Sequence, residues 1–461
     1  MRGRKLIVAL MAVAGAGVLH AGELESPRGV GMARTFVATS RGLDAVGINP
    51  ANLGIDDGSG VQVDLFPFGV HVGSDFLSYD LYTTYFTGVD TGGGRDGRFL
   101  SPQDKQRILD AFPNGNGLVS MNADMRYLGV SFAFEEVGRF AFTVSEHAGG
   151  MVNIPRDYLA LLLNGNIPGT TLDFSNTDIK LAWTREYALS FGRTIPHPPF
   201  LKSLEAGIGL KLVQGFAYYD VERFDASLST ASDGALTGAV NFLSRTAGID
   251  AVRKNNSGSF SPFTSPAGSG IALDLGVAGA VNQFLTFGMS VTDIGSLTWN
   301  TNVEQRLTDT VLVIDDLFSK TQRDALNGAL AGAPESGTSF SSNMPTQFRM
   351  GVAIEVDKLP LLTHFPGELR VALDYNQGFH DTYASTINAR VSLGAEYIPL
   401  SWLPIRAGVS FGGTDRVNTA FGFGIHAGGF QFDLASENVS WLFAPSTFSY
   451  GSLSLGMRLN I

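Results

Sequence analysis

The sequence contains no cysteine in its 461 residues. The protein therefore has no disulfide bonds and no thiol chemistry, and it has no N-terminal cysteine that could carry a lipid anchor. Charge is also scarce, because only 16% of the residues are charged and the formal net charge is −11. An acidic chain is poorly suited to neutralising phosphates, so we expect no nucleic acid among its partners.

Long apolar runs are missing as well. The longest lies in residues 1–21, which combine a basic start, an apolar stretch over residues 6–19 and Ala21 before Gly22. A membrane-spanning helix needs roughly 20 apolar residues, so this shorter stretch predicts a cleaved signal peptide at residues 1–21. No later run is long enough for an ordinary transmembrane helix.

The sequence is rich in glycine and phenylalanine, with 56 and 33 residues. In many short segments, apolar residues alternate with small or polar residues, which is a period of two. The last segment shows the pattern most clearly, with Leu453, Leu455, Met457, Leu459 and Ile461 on one face and Ser452, Ser454, Gly456, Arg458 and Asn460 on the other. A period of two indicates a β-strand.

Similar segments recur through the whole chain. They lie at residues 77–86, 121–134, 140–146, 178–192, 204–218, 271–277, 285–291, 348–356, 369–375, 391–397, 405–411, 421–425 and 430–434. A soluble β-sandwich would need Lys, Glu and Asp on its polar face, whereas the second face here is mostly Gly, Ala and Ser, which suits a barrel interior. We therefore predict an all-β fold, a transmembrane antiparallel β-barrel of about 14 strands over residues 77–461.

The connections between these segments alternate between short and long. Outer-membrane barrels place short turns in the periplasm and long loops outside, so the alternation predicts a bacterial outer-membrane location with both chain ends in the periplasm. In this count, residues 77–86 form the first strand and pair with the terminal strand. Residues 61–72 also resemble a strand, and we assign them to a lead-in or to the first half of a broken strand. Residues 155–163 and 308–331 are predicted to be partly helical outer loops.

Residues 22–76 precede the predicted barrel and carry small residues, turn formers and few charges. They contain Gly29-Val30-Gly31-Met32-Ala33, Arg41-Gly42-Leu43-Asp44-Ala45 and Ile48-Asn49-Pro50-Ala51-Asn52-Leu53. A flexible leader is the alternative, but this organisation is typical of a segment packed inside another structure.

This segment resembles the N-terminal hatch of FadL-type outer-membrane transporters of long-chain fatty acids and their relatives, including PorV-like proteins. The resemblance implies a plugged barrel that passes hydrophobic molecules to the periplasm, with lateral escape through the barrel wall. It also implies that Asp44, Asn49, Pro50 and Ala51 are hatch residues. No loop residue matches a ligand contact of these transporters, so the substrate-binding residues stay unassigned.

No enzymatic or metal site emerges from the sequence. Ser410 fits a G-x-S-x-G pattern, but it lies inside an alternating segment that is followed by a turn and not by a helix. The histidines show no metal-ligand spacing, and we expect no cofactor, no metal site and no enzymatic activity.

Charged residues with the parity of the barrel interior recur along the second half of the chain. They are Arg349, Glu355, Arg370, Asp374, Arg390, Glu396, Arg406, Asp433 and Arg458. We interpret them as ion ladders that stabilise the interior, with a polar path as the alternative.

Two functions follow from the resemblance. The first is uptake of hydrophobic small molecules, and the second is a PorV-like role as a docking partner for secreted or surface proteins. The expected partners are membrane lipids and lipopolysaccharide, a hydrophobic substrate and, in the second case, such proteins. Phe76, Phe86, Phe99 and Phe112 are apolar candidates for a substrate path, but we favour lipid contact or loop packing as their role.

Overall fold

The structure is a computed structural model that describes residues 24–90, 92–249, 265–314, 319–362, 364–414, 417–439 and 449–461. The predicted signal peptide lies outside these residues. None of the described helices is long and apolar enough to cross a membrane.

Fourteen antiparallel strands form a closed barrel. They are β1 (Val61–Asp64 and Phe68–Ser74), β2 (Asn116–Phe134), β3 (Gly138–Pro155), β4 (Asp178–Thr194), β5 (Ser203–Thr230), β6 (Gly268–Ala280), β7 (Leu285–Trp299), β8 (Gln347–Glu355), β9 (Glu368–Gly378), β10 (Arg390–Leu400), β11 (Leu403–Gly412), β12 (Val417–Ala427), β13 (Phe430–Glu437) and β14 (Tyr450–Asn460). Each strand pairs with its neighbours in the chain, and β14 pairs with β1 to close the wall.

The first strand is broken in the middle. On the β14 side, Asp64 pairs with Arg458 and Phe68 pairs with Leu455, so three residues of β1 face two residues of β14. Phe66 adopts a φ of 48° in this break, a left-handed conformation that is uncommon for a bulky residue. The extra residue makes the break a β-bulge in the closing seam of the barrel.

The prediction for the start of the barrel is wrong in two respects. Residues 77–86 are not a strand, because Tyr79–Tyr85 forms helix α2, which starts after Ser78 with its hydroxyl accepting from the Leu81 N–H at 3.2 Å. The wall begins at Val61, and the terminal strand pairs with β1 and not with the segment near Leu77. The boundary that we predicted between the N-terminal segment and the barrel, at residue 76, therefore lies at residue 60.

The long loops carry the remaining elements. They contain helix α3 (Pro102–Asp110), helix α4 (Asp157–Asn164), helix α5 (Lys320–Ala331), the short turns Pro113–Gly115 and Val356–Lys358, and the strands Val89–Asp90, Arg95–Asp96, Thr171–Asp173, Leu236–Ala247, Glu304–Ile314, Ala333–Ser336 and Phe340–Asn343. The predicted helical character of residues 155–163 agrees with α4. In residues 308–331 only the second half is helical, because Glu304–Ile314 forms a strand that pairs with Leu236–Ala247.

The barrel exterior is apolar. In β8, Met350, Val352 and Ile354 are exposed, while the alternating positions, among them Arg349 and Glu355, are buried. In a closed barrel the buried positions face the interior and the exposed ones face outward, and an apolar outward face belongs in lipid. The protein is an outer-membrane β-barrel.

Candidate functional site

Residues 24–55, which we call the plug, lie inside the barrel. The plug contains helix α1 (Pro27–Gly31) and two short 3₁₀ turns, Gly42–Ala45 and Pro50–Gly54. Nearly all of its residues are buried, although only a few belong to regular secondary structure. A segment of this kind depends on the barrel wall for its burial.

The plug follows the inner wall around the barrel. Pro27 lies against Gly456 of β14, Met32 against Gly394 and Gly408 of β10 and β11, and Pro50 against Gly207 of β5. A Cβ atom on Gly207 or Gly408 would overlap the plug backbone. The glycines of the lumen-facing parity therefore provide the space in which the plug backbone contacts the wall.

The four residues predicted from the hatch motif all lie in the plug. The Asn49 side chain accepts from the Ala51 N–H at 3.2 Å and donates to the carbonyl of Val277 in β6 at 3.2 Å. Pro50 occupies the first position of the 3₁₀ turn that Asn49 caps, and Ala51 is fully buried. Asp44 accepts from Arg458 of β14 at 3.0 Å. The motif thus joins a local turn to two distant parts of the wall.

One buried ion pair joins the plug to β13. The Arg34 guanidinium donates to both carboxylate oxygens of Glu437, at 2.8 and 2.6 Å, and both side chains are almost completely buried. Arg34 and the preceding Ala33 both have positive φ values, of 60° and 52°. Such backbone is unfavourable for non-glycine residues, so the ion pair and the surrounding packing hold this turn in place.

A second carboxylate of the wall, Glu396 of β10, receives three arginines. Arg28 of the plug binds it in a bidentate manner at 2.9 and 2.8 Å, and Arg406 and Arg370 donate to it at 2.8 and 3.1 Å. The interior charges that we assigned to ion ladders therefore also bind the plug.

A third group of charges lies at the seam. Asp64 of β1 accepts from Arg126 at 2.7 Å and from Arg458 at 2.6 Å. Arg126 also pairs with Glu25 of the plug. The two strands that close the barrel are therefore joined to the plug through one shared network.

A buried cluster of mixed charge lies inside the barrel along β2 to β7. The ammonium of Lys211 is 2.5 Å from Asp293 and 3.4 Å from both Glu186 and Asp274. His147 contacts Asp124 at 3.0 Å, and Asp124 also accepts from the Leu24 N–H of the plug at 3.1 Å. Every carboxylate of this cluster lies near a cationic side chain or a backbone donor, so the cluster is a structural network.

The opposite half of the lumen is closed by apolar side chains. The Trp299 ring lies 5.0 Å from that of Tyr218, which in turn lies 5.5 Å from Phe340. Met344 and Tyr383, from the loops before β8 and before β10, are buried in the same cluster. These aromatic contacts and the plug close the barrel at two levels.

A cavity of about 410 Å³ lies between the plug and the strand ends that the short turns connect. Its lining carries charges of both signs. The arginines are Arg28, Arg41, Arg370, Arg406 and Arg458, and the carboxylates are Glu25, Asp44, Asp57, Asp64, Glu368, Glu396 and Asp433. By the loop pattern, this end of the barrel faces the periplasm.

Arg41 differs from the other arginines of the cavity. Its Nη1 donates to the carbonyls of Ala38 and Ser40, at 3.1 and 2.7 Å, and it forms no ion pair with a described carboxylate. Burial, and then the guanidinium groups of Arg370 and Arg28, lower the pKa of Arg41 to about 9. Sequence reasoning did not single out Arg41, because its position near Arg370 depends on how the plug folds against β9.

The aromatic candidates of the first long loop lie in two environments. The Phe76 and Phe112 rings stack at 4.2 Å and pack against Gly117, so both belong to the base of the loop. Phe86 and Phe99 are exposed, with 90% of Phe99 accessible. Ser410 is buried within β11, where no helix follows it.

The fold is similar to those of several solved structures. The toluene transporter TbuX of Ralstonia pickettii is 14% identical, with a TM-score of 0.49 and with 95% of this chain and 99% of that chain covered. The toluene transporter TodX of P. putida is 12% identical, with a TM-score of 0.48 and coverages of 95% and 99%. A FadL homologue of Pseudomonas aeruginosa is 13% identical, with a TM-score of 0.46 and coverages of 96% and 100%.

No curated protein matches the sequence. A family model matches residues 54–437, from the end of the plug to the end of β13, which is most of the chain. The chain belongs to the family of unknown function DUF5723.

Proposed function

We propose that this protein takes up hydrophobic small molecules, similar to long-chain fatty acids, across the outer membrane, and that the plug is the closed gate. The plug is the observation that carries the proposal. It blocks the lumen, yet many of its attachments are ion pairs such as Arg34 with Glu437, which can break and form again. A pore for polar solutes needs an open aqueous lumen, whereas the plug residues inside this barrel are almost all buried.

The surface of the first long loop supports an apolar substrate. Tyr79, Tyr82, Phe86 and Phe99 are all exposed on this loop, at the end of the barrel opposite the cavity. Exposed aromatic groups of this kind are typical of surfaces that bind apolar ligands. We infer that a hydrophobic solute first binds here.

The break in β1 supports an exit towards the membrane. Pro67, which ends the break, and Met457 on the opposite strand both line the cavity beneath the plug. The regular register of the wall is interrupted at this point, where the Leu65 N–H donates to the Met457 carbonyl at 2.8 Å and the Arg126 N–H to the Pro67 carbonyl at 2.9 Å. An apolar solute below the plug would therefore meet an irregular part of the wall.

Uptake of a radiolabelled long-chain fatty acid tests the proposal. A strain that lacks the protein should take up less label, and the wild-type gene should restore uptake. Ala38 of the plug and Ala353 of β8 belong to one buried cluster. The double variant Ala38→Cys/Ala353→Cys, in a chain without other cysteines, therefore allows the plug to be locked to the wall by oxidation.

We expect the oxidised double variant to lose uptake and the reduced one to keep it, with the two single cysteine variants as matched controls. Full uptake by the locked protein would show that the plug is not the gate. Equal uptake with and without the protein would exclude long-chain fatty acids as substrates.

A docking role is the second candidate, and one feature of the structure favours it. Strand β5 continues past its last contact with β4 at Asp220, and residues 218–230 pair with Leu236–Ala247 in a sheet outside the barrel. Val311 and Val313, on the next strand of this sheet, are 67% and 64% exposed. Such a protruding apolar surface can bind a secreted protein.

Co-purification of surface proteins with the full-length protein tests this role. Val311→Asp/Val313→Asp should abolish specific capture, whereas Thr237→Asp on the neighbouring strand should weaken it less. Capture that is unchanged in the double variant would exclude this surface.

A further inference from the structure

We propose that the charged cavity on the periplasmic side of the plug is a binding site for an anionic group, a carboxylate or a phosphate, which Arg41 binds together with Arg28 and Arg370. This proposal goes beyond uptake and does not depend on it, because it concerns binding by the purified protein. The cavity is large enough for such a group, at about 410 Å³.

The first argument is the unused hydrogen-bonding capacity of Arg41. Only its Nη1 has acceptors among the described residues, and these are the neutral carbonyls of Ala38 and Ser40. Its Nε and Nη2 atoms, which form one edge of the guanidinium, have none. That edge matches the two oxygens of a carboxylate or a phosphate.

The second argument is that the carboxylates near Arg41 already pair with other cationic side chains. Glu396 receives Arg28, Arg370 and Arg406, and Glu355 receives Arg370 at 2.6 Å and Lys358 at 3.9 Å. Glu368, at the cavity rim, is exposed and forms no ion pair. Arg28 and Arg370 are thus paired, and among the described residues Arg41 is the arginine of the lining that has no carboxylate within hydrogen-bond distance.

The third argument is the apolar part of the lining. Pro27, Pro67, Ile398, Pro404 and Met457 also face the cavity. A ligand with an anionic head and a short apolar tail can therefore place its head at Arg41 and its tail against these side chains. A free anion would use the arginines alone.

Isothermal titration of the detergent-purified full chain tests the proposal with three probes: inorganic phosphate, acetate and hexanoate. We expect saturable binding of at least one probe by the wild type, weakening as salt is added. Phosphate or acetate binding would identify a site for free anions. Binding of hexanoate alone would identify a site for the head of an amphiphile.

Arg41→Gln should weaken this binding about tenfold or more, because the charge-assisted pair between the guanidinium and the anion is lost. Arg41→Lys keeps the charge but loses the planar edge, so we expect intermediate affinity. The matched control is Arg245→Gln, which alters an exposed ion pair on the outer hairpin and should bind like the wild type.

Two results would overturn the proposal. One is the absence of saturable binding for all three probes in the wild type. The other is equal affinity in the wild type, Arg41→Gln and Arg41→Lys. Fatty acid uptake is measured separately, so loss of uptake with intact anion binding would count against the uptake proposal alone.

Discussion

At the scale of single residues, wall glycines and buried ion pairs hold the plug. Gly207 and Gly408 face the plug backbone, and Glu437 binds Arg34 inside the barrel. A substitution can add a Cβ atom at a glycine or remove the charge of one partner of an ion pair. The contribution of each kind of contact to the stability of the protein can therefore be measured separately.

Gly207→Ala should destabilise the seated plug. The added Cβ would overlap the backbone of Pro50 and Ala51, and overpacking of this kind costs about 1–3 kcal/mol. Thermal unfolding of the purified protein measures the loss. Gly238→Ala is the control, because an added Cβ there meets no atom within 4 Å. Equal melting temperatures for both variants would contradict a tight contact at Gly207.

Glu437→Gln should destabilise the protein strongly. Removing one partner of a buried ion pair leaves the charge of Arg34 uncompensated, which costs about 3–5 kcal/mol. The exposed pair of Arg245 and Glu222 provides the comparison, and Glu222→Gln should cost about 1 kcal/mol or less. Urea unfolding in detergent measures the free energy of unfolding of both variants. Similar decreases in this free energy would argue against a buried pair between Arg34 and Glu437.

At the scale of elements, the closing seam is the part of the barrel wall that the sequence predicted incorrectly, and in the outer loops the strand Glu304–Ile314 was missed. Residues 77–86 alternate like a strand, but Ser78 caps their first turn and Asp80 lies within it, which are signals of a helix start. Residues 61–72 resembled a strand, but counting them beside residues 77–86 would have put a long loop on the periplasmic side, so we assigned them to a lead-in or a broken strand. The structure shows the broken strand, divided at residues 65–67. Both errors arise where local pattern and tertiary pairing disagree.

In the rest of the wall, the alternation of apolar with small or polar residues was sufficient to predict the strands. The segments from β2 to β14, the total of fourteen strands and the alternation of short and long loops agree with the structure. The inward parity of Arg349, Glu396 and Arg406 also agrees. Which carboxylate each arginine binds was not predictable, because these partners come from strands that meet only when the barrel closes.

A cysteine pair tests the corrected seam. Val70 of β1 lies directly opposite Leu453 of β14, and both side chains are exposed on the barrel exterior. Residues directly opposite on antiparallel strands have Cβ atoms about 4.5–5.5 Å apart. We expect Val70→Cys/Leu453→Cys to form a disulfide on oxidation, detected by altered gel mobility. Leu77→Cys/Leu453→Cys is the control and should stay reduced.

At the scale of the whole molecule, the barrel is closed at two levels. The plug and the aromatic cluster around Trp299 block successive parts of the lumen, and the charged cavity lies below both. Movement of the plug alone would therefore join the cavity only to the middle of the barrel. A complete path requires the outer loops to move as well.

Deletion of residues 24–55 separates the two closures. If the plug is the main barrier, the shortened protein should show steady single-channel conductance in planar bilayers, and the wild type should show little. Gly238→Ala is expected to behave like the wild type. A silent deletion variant that still folds would mean that the outer loops alone seal the barrel.

The route of the plug along the wall also determines the order of assembly. The Ser454 hydroxyl of β14 donates to the carbonyl of Leu24, a contact between residues 430 positions apart. The plug therefore has no complete binding surface until the last strand is in place. Because such distant contacts form late, the plug docks as a final step. A barrel that closes before docking traps it outside, where its apolar residues are exposed to aggregation.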